Sequence, residues 1–229
     1  MHPIPTSLSD LQHDRASGLS YRLRQPVAAQ PTACVVLLHG VGSNEQDLAA
    51  LAAPWPAEWL VVLGRGQYQL GPNMYAWFQV NFTANGPIVA LDQAEDSRQK
   101  LIRLLGHVQS QHGIAANKTV IAGFSQGGVM SASVGLTEPE KIGGFALLSG
   151  RILPELAPQI AAPARLAPLR AFIGHGEYDS KLPVSWAQQA DHQLSALGIA
   201  HTTRLYPIEH TISPAMYADF SRWLKETLG

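Results

Sequence analysis

Residues 119–128 read TVIAGFSQGG, and this stretch decides the fold. Its apolar first half predicts a buried strand over 119–124, and the small and apolar residues of 127–136 favour a helix directly after it. Residues 123–127 have the G-x-S-x-G spacing of a nucleophile elbow, a sharp turn that holds a serine hydroxyl clear of the backbone. A side chain two residues before or after the serine would collide with the crossing strand and helix, which explains both glycines. Ser125 is therefore a candidate nucleophile.

The five-residue pattern is weak by itself, because a glycine-rich turn with an incidental serine has the same letters. A catalytic elbow makes a further demand: an acid and then a histidine must follow along the chain, each in a loop after a later strand. The apolar run 169–174 ends in HGEYD, which puts Asp179 in such a loop. Asp179 is our candidate acid, and Glu177 is the competitor. A solvated loop carboxylate is the structural alternative for either residue.

One of the nine histidines has both the order and the loop that an elbow requires. The alternating run 202–206 leads to His210, just before the last predicted helix. His39 and His175 each precede a glycine at the end of a predicted strand, where we expect a structural hydrogen bond. His210 is the candidate base, and His175 stays open as the alternative.

An acyl-transfer site also needs two backbone amides that face the developing oxyanion. One amide follows the nucleophile directly and belongs to Gln126. The other should come from the loop after an early strand, and the run 34–38 is followed by glycines on both sides of Val41. Val41 and Gln126 are the candidate oxyanion donors. An ordinary glycine-rich turn capped by Ser43 or Asn44 would have the same sequence, and both interpretations can hold together.

Five ordered motifs now resemble a known family. They are LLHG at 37–40 with NExDL at 44–48, AWF at 76–78, GFSQGG at 123–128, HGxxD at 175–179 and HTI at 210–212. From about residue 20 to the C-terminus, the chain resembles the bacterial carboxylesterase/phospholipase family, which is related to acyl-protein thioesterases. The resemblance implies an α/β-hydrolase fold and a serine esterase. It carries the catalytic serine, aspartate and histidine over to Ser125, Asp179 and His210, and the oxyanion amides to Val41 and Gln126.

Apolar and aromatic residues crowd the irregular segment 64–87. Loops at the carboxyl ends of the strands surround the nucleophile in such a fold, so we expect Met74, Trp77 and Phe78 to line an acyl pocket. The alternative is that these side chains pin a long loop to the core. The predicted substrates are short- to medium-chain carboxylic esters, and lysophospholipids and thioesters would also suit. A peptidase or amidase of the same fold and a non-catalytic binding protein are the alternative functions.

Strand-like and helical runs alternate along the chain. Strands are predicted near 20–24, 34–38, 60–63, 119–124, 144–149, 170–174 and 202–206, and helices near 45–53, 91–111, 127–136, 184–197 and 214–228. This order predicts an α/β fold of the α/β-hydrolase type, with a mostly parallel central sheet and helices on both faces. We expect an N-terminal extension over 1–19 and a single domain over 20–229.

Composition excludes several other classes of protein. With 46% apolar and 14% charged residues and a formal net charge of −1, the chain of 229 residues has no basic surface for nucleic acid. No apolar run reaches the roughly 18 residues that span a bilayer, and the N-terminus lacks a basic segment followed by an apolar one. We therefore expect a cytoplasmic protein with no stable membrane insertion that acts on a small-molecule ester. No metal or cofactor motif is present, so none is expected, and a homodimer stays open.

Overall fold

A twisted eight-stranded sheet runs through the molecule in the computed structural model, which describes residues 8–83 and 86–229. Its strands are β1 Gln12–Asp14, β2 Leu19–Arg24, β3 Ala33–Leu38, β4 Trp59–Arg65, β9 Thr119–Phe124, β10 Gly144–Leu148, β11 Arg170–Gly176 and β12 Ala200–Tyr206. Two separate hairpins pair β5 Tyr68–Gly71 with β6 Met74–Ala76, and β7 Val80–Thr83 with β8 Gly86–Val89.

The strand order in the large sheet is β1-β2-β4-β3-β9-β10-β11-β12. β2 pairs antiparallel with both β1 and β4, and every other neighbouring pair is parallel. The prediction of an α/β-hydrolase fold with a mostly parallel central sheet is confirmed. Since parallel strands end at the same edge, the loops after β3, β9, β10, β11 and β12 meet there.

Six α-helices accompany the sheet within the described residues. They are α1 Ala49–Ala52, α2 Leu91–His112, α3 Gln126–Thr137, α4 Pro163–Leu166, α5 Ser185–Ala196 and α6 Pro214–Leu228. The central strands are apolar on both faces because helices cover both. On β3, Val36 packs in one cluster with α2, α3 and α5, whereas Val35 and Leu37 pack in another with α1 and α6.

The start of α6 follows directly from its sequence. The Ser213 hydroxyl accepts a hydrogen bond from the Met216 amide at 3.2 Å, and Pro214 occupies the first helical position, where a missing N–H costs nothing. Phe220 and Trp223 lie on the buried face of the helix. This cap fixes the loop between β12 and α6, which contains His210.

Two segments differ from the sequence-based expectation. The helix predicted near 45–53 is only α1, Ala49–Ala52, because 44–48 form turns. The irregular segment 64–87 contains the first hairpin and most of the second, whose strand β8 ends at Val89. The side chains of 82–87 are outside the described part of the structure.

The sheet begins before residue 20. β1 lies within the predicted N-terminal extension, and Leu8 forms a bridge with Arg24. Residues 1–7 are outside the described part of the chain, so the division into 1–19 and 20–229 stays a prediction. Within residues 8–83 and 86–229, every helix is too short or too polar to cross a membrane.

Candidate active site

Ser125 lies at the turn between β9 and α3, in a strained backbone conformation. Its φ is 53° and its ψ −116°, and positive φ is unfavourable for any residue with a Cβ. Two hydrogen bonds hold the conformation: the Ser125 amide donates to the Leu148 carbonyl at 2.8 Å, and the Val129 amide donates to the Ser125 carbonyl at 3.1 Å. The hydroxyl therefore projects from a turn whose geometry is fixed by the neighbouring strand and helix.

The glycines around the turn allow this close crossing. A Cβ on Gly123 would lie 2.2 Å from the Gly127 carbonyl carbon, and a Cβ on Gly127 would lie 2.0 Å from the Leu38 carbonyl oxygen. Both distances are far inside van der Waals contact, and the obstructing atoms belong to the backbone. The collision expected from the sequence is therefore the reason for both glycines.

The Asp179 carboxylate is buried and orients His210. Its Oδ2 accepts a hydrogen bond from Nδ1 of His210 at 2.7 Å. Its Oδ1 accepts from the amides of Lys181 and Leu182 at 2.9 and 2.8 Å, so the loop after β11 holds the carboxylate in place. Because Nδ1 donates to Asp179, Nε2 of His210 is the nitrogen left to accept a proton.

His210 and Ser125 border the same cavity. Within the described residues no hydrogen bond joins the imidazole to the hydroxyl, an arrangement common in unliganded hydrolases, where the bond shortens when substrate binds. The Phe124 ring packs against the imidazole with 4.8 Å between ring centroids. The structure thus brings all three predicted side chains to one edge of the sheet.

Neither competitor for the acid and base positions reaches the serine. Glu177 is exposed. His175 is fully buried, and its Nε2 donates to the Leu182 carbonyl at 2.8 Å. Burial lowers the pKa of His175, which keeps the ring neutral. This histidine supports the loop that holds Asp179, as its position before a glycine indicated.

The loop after β3 brings Val41 beside Ser125. A Cβ on Gly40 would lie 3.5 Å from the Ser125 Cβ, and Val41 lines both cavities that border the serine. Among residues 8–83 and 86–229, the amides of Val41 and Gln126 donate no hydrogen bond to backbone or side chain. Two unpaired donors are therefore available near the hydroxyl.

His39 fixes the orientation of the Val41 amide. Its Nδ1 donates to the Gly40 carbonyl at 2.7 Å, and its Nε2 accepts from the Gly66 amide at 2.9 Å. Because a trans peptide directs its carbonyl and amide in opposite directions, holding the Gly40 oxygen sets the direction of the Val41 N–H. Burial lowers the pKa of His39, so the ring keeps the neutral form that this pattern requires.

Two cavities meet at Ser125. The first has a volume of about 410 Å³ with its open mouth and is mostly apolar, lined by Val41, Phe78, Val80, Val89, Ser125, Gln126, Val129, Arg151, Leu153, Leu182 and Trp186. The second, about 1070 Å³, is lined by Gly40, Val41, Ser43, Asp47, Leu48, Phe124, Ser125, Lys181, Leu182 and His210. The imidazole borders only the second, so the two spaces are chemically different.

Of the three residues expected to line an acyl pocket, the structure brings Phe78 to the first cavity. Trp77 is 0% exposed, and its Nε1 donates to the His39 carbonyl at 3.0 Å, so this ring belongs to the core. Met74 is 45% exposed and lies near Gly42, outside that cavity. The expectation of pocket contact is therefore corrected for Trp77 and Met74.

Sequence reasoning missed the positions of three side chains near Ser125. Gln126 was expected to act only through its amide, yet its Oε1 accepts from the Trp77 amide and its Nε2 donates to the Phe78 carbonyl, both at 2.7 Å. Arg151 and Trp186 line the first cavity. Arg151 follows β10, which pairs with β9, so its place after the neighbouring parallel strand was the signal available.

Within the described part of the chain, no group of three or more His, Cys, Asp or Glu side chains is arranged to hold a metal ion.

Comparisons with known proteins identify a family and several similar proteins. A family model described as Phospholipase/Carboxylesterase matches residues 25–228. Acyl-protein thioesterase 1 of Gibberella zeae is 28% identical over 233 residues, covering 93% of this chain and 98% of the relative. Acyl-protein thioesterase 1 of Kluyveromyces lactis is also 28% identical, over 210 residues, with 80% of this chain and 91% of the relative covered.

Solved structures give the same fold. Esterase PE8 superposes with a TM-score of 0.82 at 28% identity, covering 92% of this chain and 99% of the other. The carboxylesterase from Mesorhizobium loti has a TM-score of 0.79 at 22% identity, with coverage of 95% and 99%. Because the Mesorhizobium loti enzyme is only 22% identical to this chain, its similarity shows the fold alone.

Proposed function

The chain belongs to the phospholipase/carboxylesterase family of serine hydrolases, which cleave esters and thioesters, and we propose that Ser125, Asp179 and His210 form its catalytic triad. The observation that carries this proposal is the 2.7 Å hydrogen bond from His210 Nδ1 to the buried Asp179, at a cavity that His210 shares with Ser125. The strained elbow around Ser125 supports it further.

The first step forms an acyl-enzyme. His210 Nε2 takes the proton of the Ser125 hydroxyl as its oxygen attacks the substrate carbonyl. The carbonyl oxygen becomes an oxyanion, which accepts hydrogen bonds from the Val41 and Gln126 amides. Asp179 stabilises the imidazolium that forms. His210 then protonates the leaving alcohol or thiol, and the C–O or C–S bond breaks.

The second step returns the free enzyme. A water molecule replaces the leaving group, and His210 takes its proton as the oxygen attacks the acyl carbon. The same two amides hold the second oxyanion. Collapse of this intermediate releases the carboxylic acid, and the proton on His210 returns to Ser125.

The position of His210 assigns the two halves of the substrate. Because His210 must protonate the leaving group, that group occupies the second cavity, where the imidazole lies. The acyl chain then occupies the first cavity against Phe78 and Val129. The apolar lining of this cavity suits a short- to medium-chain acyl group.

The test of the triad is the Ser125→Ala variant. We expect kcat on a short p-nitrophenyl ester to fall by about 10⁴-fold or more, because the nucleophile is lost while the fold is kept. Ser185→Ala, at an exposed serine, is the control and should retain full activity. A loss below tenfold in Ser125→Ala would assign the nucleophile to another residue.

Covalent labelling tests the base independently. A fluorophosphonate probe should modify Ser125 alone, and His210→Ala should abolish labelling because the hydroxyl is no longer activated. Rates on matched ester and amide substrates distinguish an esterase from a peptidase of the same fold. A cytoplasmic location, the absence of nucleic-acid binding and a homodimer stay predictions from the sequence.

A further inference from the structure

A cationic side chain lines the otherwise uncharged acyl cavity. Arg151 lies just after β10, at the carboxyl edge of the sheet. It borders the same cavity as Ser125. Its guanidinium carbon lies 4.0 Å from the centroid of the Trp186 ring. The side chain is half-buried. A guanidinium at this depth has lost part of its hydration, so an anionic partner is favoured there.

Arg151 has no ion-pair partner within the described part of the chain. Among residues 8–83 and 86–229, the guanidinium makes no hydrogen bond and no ion pair. Glu155 is the carboxylate that acts on it electrostatically, yet it is exposed and forms no ion pair with it. Arg65, another half-buried arginine, is by contrast paired with Glu45 at 2.6 Å. Arg151 therefore keeps its donors available.

Stacking on Trp186 orients those donors. A guanidinium that lies over a ring directs its N–H groups sideways, in its own plane, where they can meet a planar carboxylate two at a time. A doubly charged phosphate would need a second cation, and the remaining lining residues of this cavity are uncharged. A carboxylate is thus the anion that fits.

We propose that Arg151 binds a carboxylate at the far end of the substrate's acyl chain, so that the enzyme prefers ω-carboxyacyl esters or thioesters. The inference rests on the proposed function, because that function places the acyl group in the Arg151 cavity and the leaving group beside His210. The apolar walls contact the methylene chain, and Arg151 pairs with the distal carboxylate. Hydrolysis then releases a dicarboxylic acid.

The experiment compares matched esters. Monoethyl esters of dicarboxylic acids with four to eight carbons are measured against ethyl esters of the monocarboxylic acids of equal length. The wild type should favour the half-ester at one or two chain lengths by about tenfold or more in kcat/KM, since a hydrogen-bonded charge pair at a partly buried site has this strength. The best length reports the distance between Ser125 and Arg151.

Variants connect the preference to this residue. Arg151→Gln should lower the ratio of kcat/KM on the best half-ester to kcat/KM on the neutral ester of equal length by about 10- to 100-fold. Arg103→Gln, at an exposed arginine of α2 outside both cavities, is the matched control and should change neither. Arg151→Glu should reverse the preference toward an acyl chain that ends in an ammonium group.

The outcomes separate this inference from the triad. If wild type hydrolyses neutral esters but shows no preference for half-esters, and Arg151→Gln lowers both substrates equally, the carboxylate site is wrong while the triad stands. If Ser125→Ala retains activity on both substrates, the proposed function fails first. Neutral-ester activity in Arg151→Gln also reports that the variant is folded.

Discussion

Two glycines on helices differ in what a methyl group would meet. A Cβ on Gly106 of α2 would have no atom within 4 Å, whereas a Cβ on Gly127 would lie 2.0 Å from the Leu38 carbonyl oxygen. Gly106→Ala should raise the unfolding free energy by about 0.5–1 kcal/mol, because alanine loses less backbone entropy in a helix. Gly127→Ala should lower it by more than about 3 kcal/mol, because β3 and α3 must move apart. Urea denaturation of both variants measures the difference.

Equal free energies of unfolding for the two variants would mean that β3 and α3 do not cross this closely.

Individual residues also differ in how well the sequence predicts their positions. Ser125, Asp179 and His210 follow from local patterns and chain order, because a turn and two strand-end loops are encoded nearby. The burial of Trp77 depends on how a hairpin packs against His39, which no local pattern records. Arg151 was missed although its place after β10, the strand that pairs with β9, was an available signal.

At the scale of elements, Gln126 joins α3 to the segment between the two hairpins. Its side chain bonds the Trp77 amide and the Phe78 carbonyl, and both groups are buried. Gln126→Leu should lower the unfolding free energy by about 2 kcal/mol or more, because two buried backbone groups lose their partners. Thermal and urea denaturation measure the loss.

Gln93→Leu is the matched control for that substitution. Gln93 also accepts from a backbone amide, that of Gln79 at 2.8 Å, but at an exposed position where water replaces the lost bond. Gln93→Leu should lower the unfolding free energy by less than about 0.5 kcal/mol. If the two substitutions cost the same, the Gln126 side chain does not secure the segment.

The elements differ in how well their sequences predict them. The seven predicted strands and the helices α2, α3, α5 and α6 were found within a few residues, because long apolar runs and amphipathic stripes determine them. The hairpins β5-β6 and β7-β8 were missed. Residues such as Leu70, Met74 and Ile88 are exposed there, so the apolar residues do not mark a buried face. β1 is only three residues long, too short for periodicity to appear.

At the scale of the whole molecule, one buried carboxylate makes the free energy of unfolding depend on pH. Glu45, in the loop after β3, has a fully buried side chain paired with Arg22 on β2 and Arg65 on β4. Burial alone would raise the pKa of Glu45. The hydrogen bonds from Arg65 and Arg22 have the larger combined effect and lower the pKa to about 2. Because the folded pKa lies below the ordinary value, the stabilisation is complete above about pH 4.5 and is lost as the pH falls toward 2.

Glu45→Gln tests this linkage. At pH 7 we expect the unfolding free energy to fall by about 2 to 3 kcal/mol, because two arginines lose their counter-charge. Between pH 4.5 and pH 2 the difference in unfolding free energy between the wild type and Glu45→Gln should shrink, because protonation of Glu45 weakens its ion pairs in the wild type. Glu140→Gln, which breaks the exposed pair with Arg165, should cost less than about 1 kcal/mol at any pH. If the difference in unfolding free energy between the wild type and Glu45→Gln stayed constant down to pH 2, the lowered pKa of Glu45 would be contradicted.

The separation of the two cavities on either side of Ser125 has a kinetic consequence. With the proposed triad, the alcohol would leave through the wider cavity beside His210 while the acyl chain still filled the narrower one. The wider cavity would then admit the next nucleophile. From the proposed triad we therefore expect ping-pong kinetics, in which a small alcohol competes with water for the acyl-enzyme.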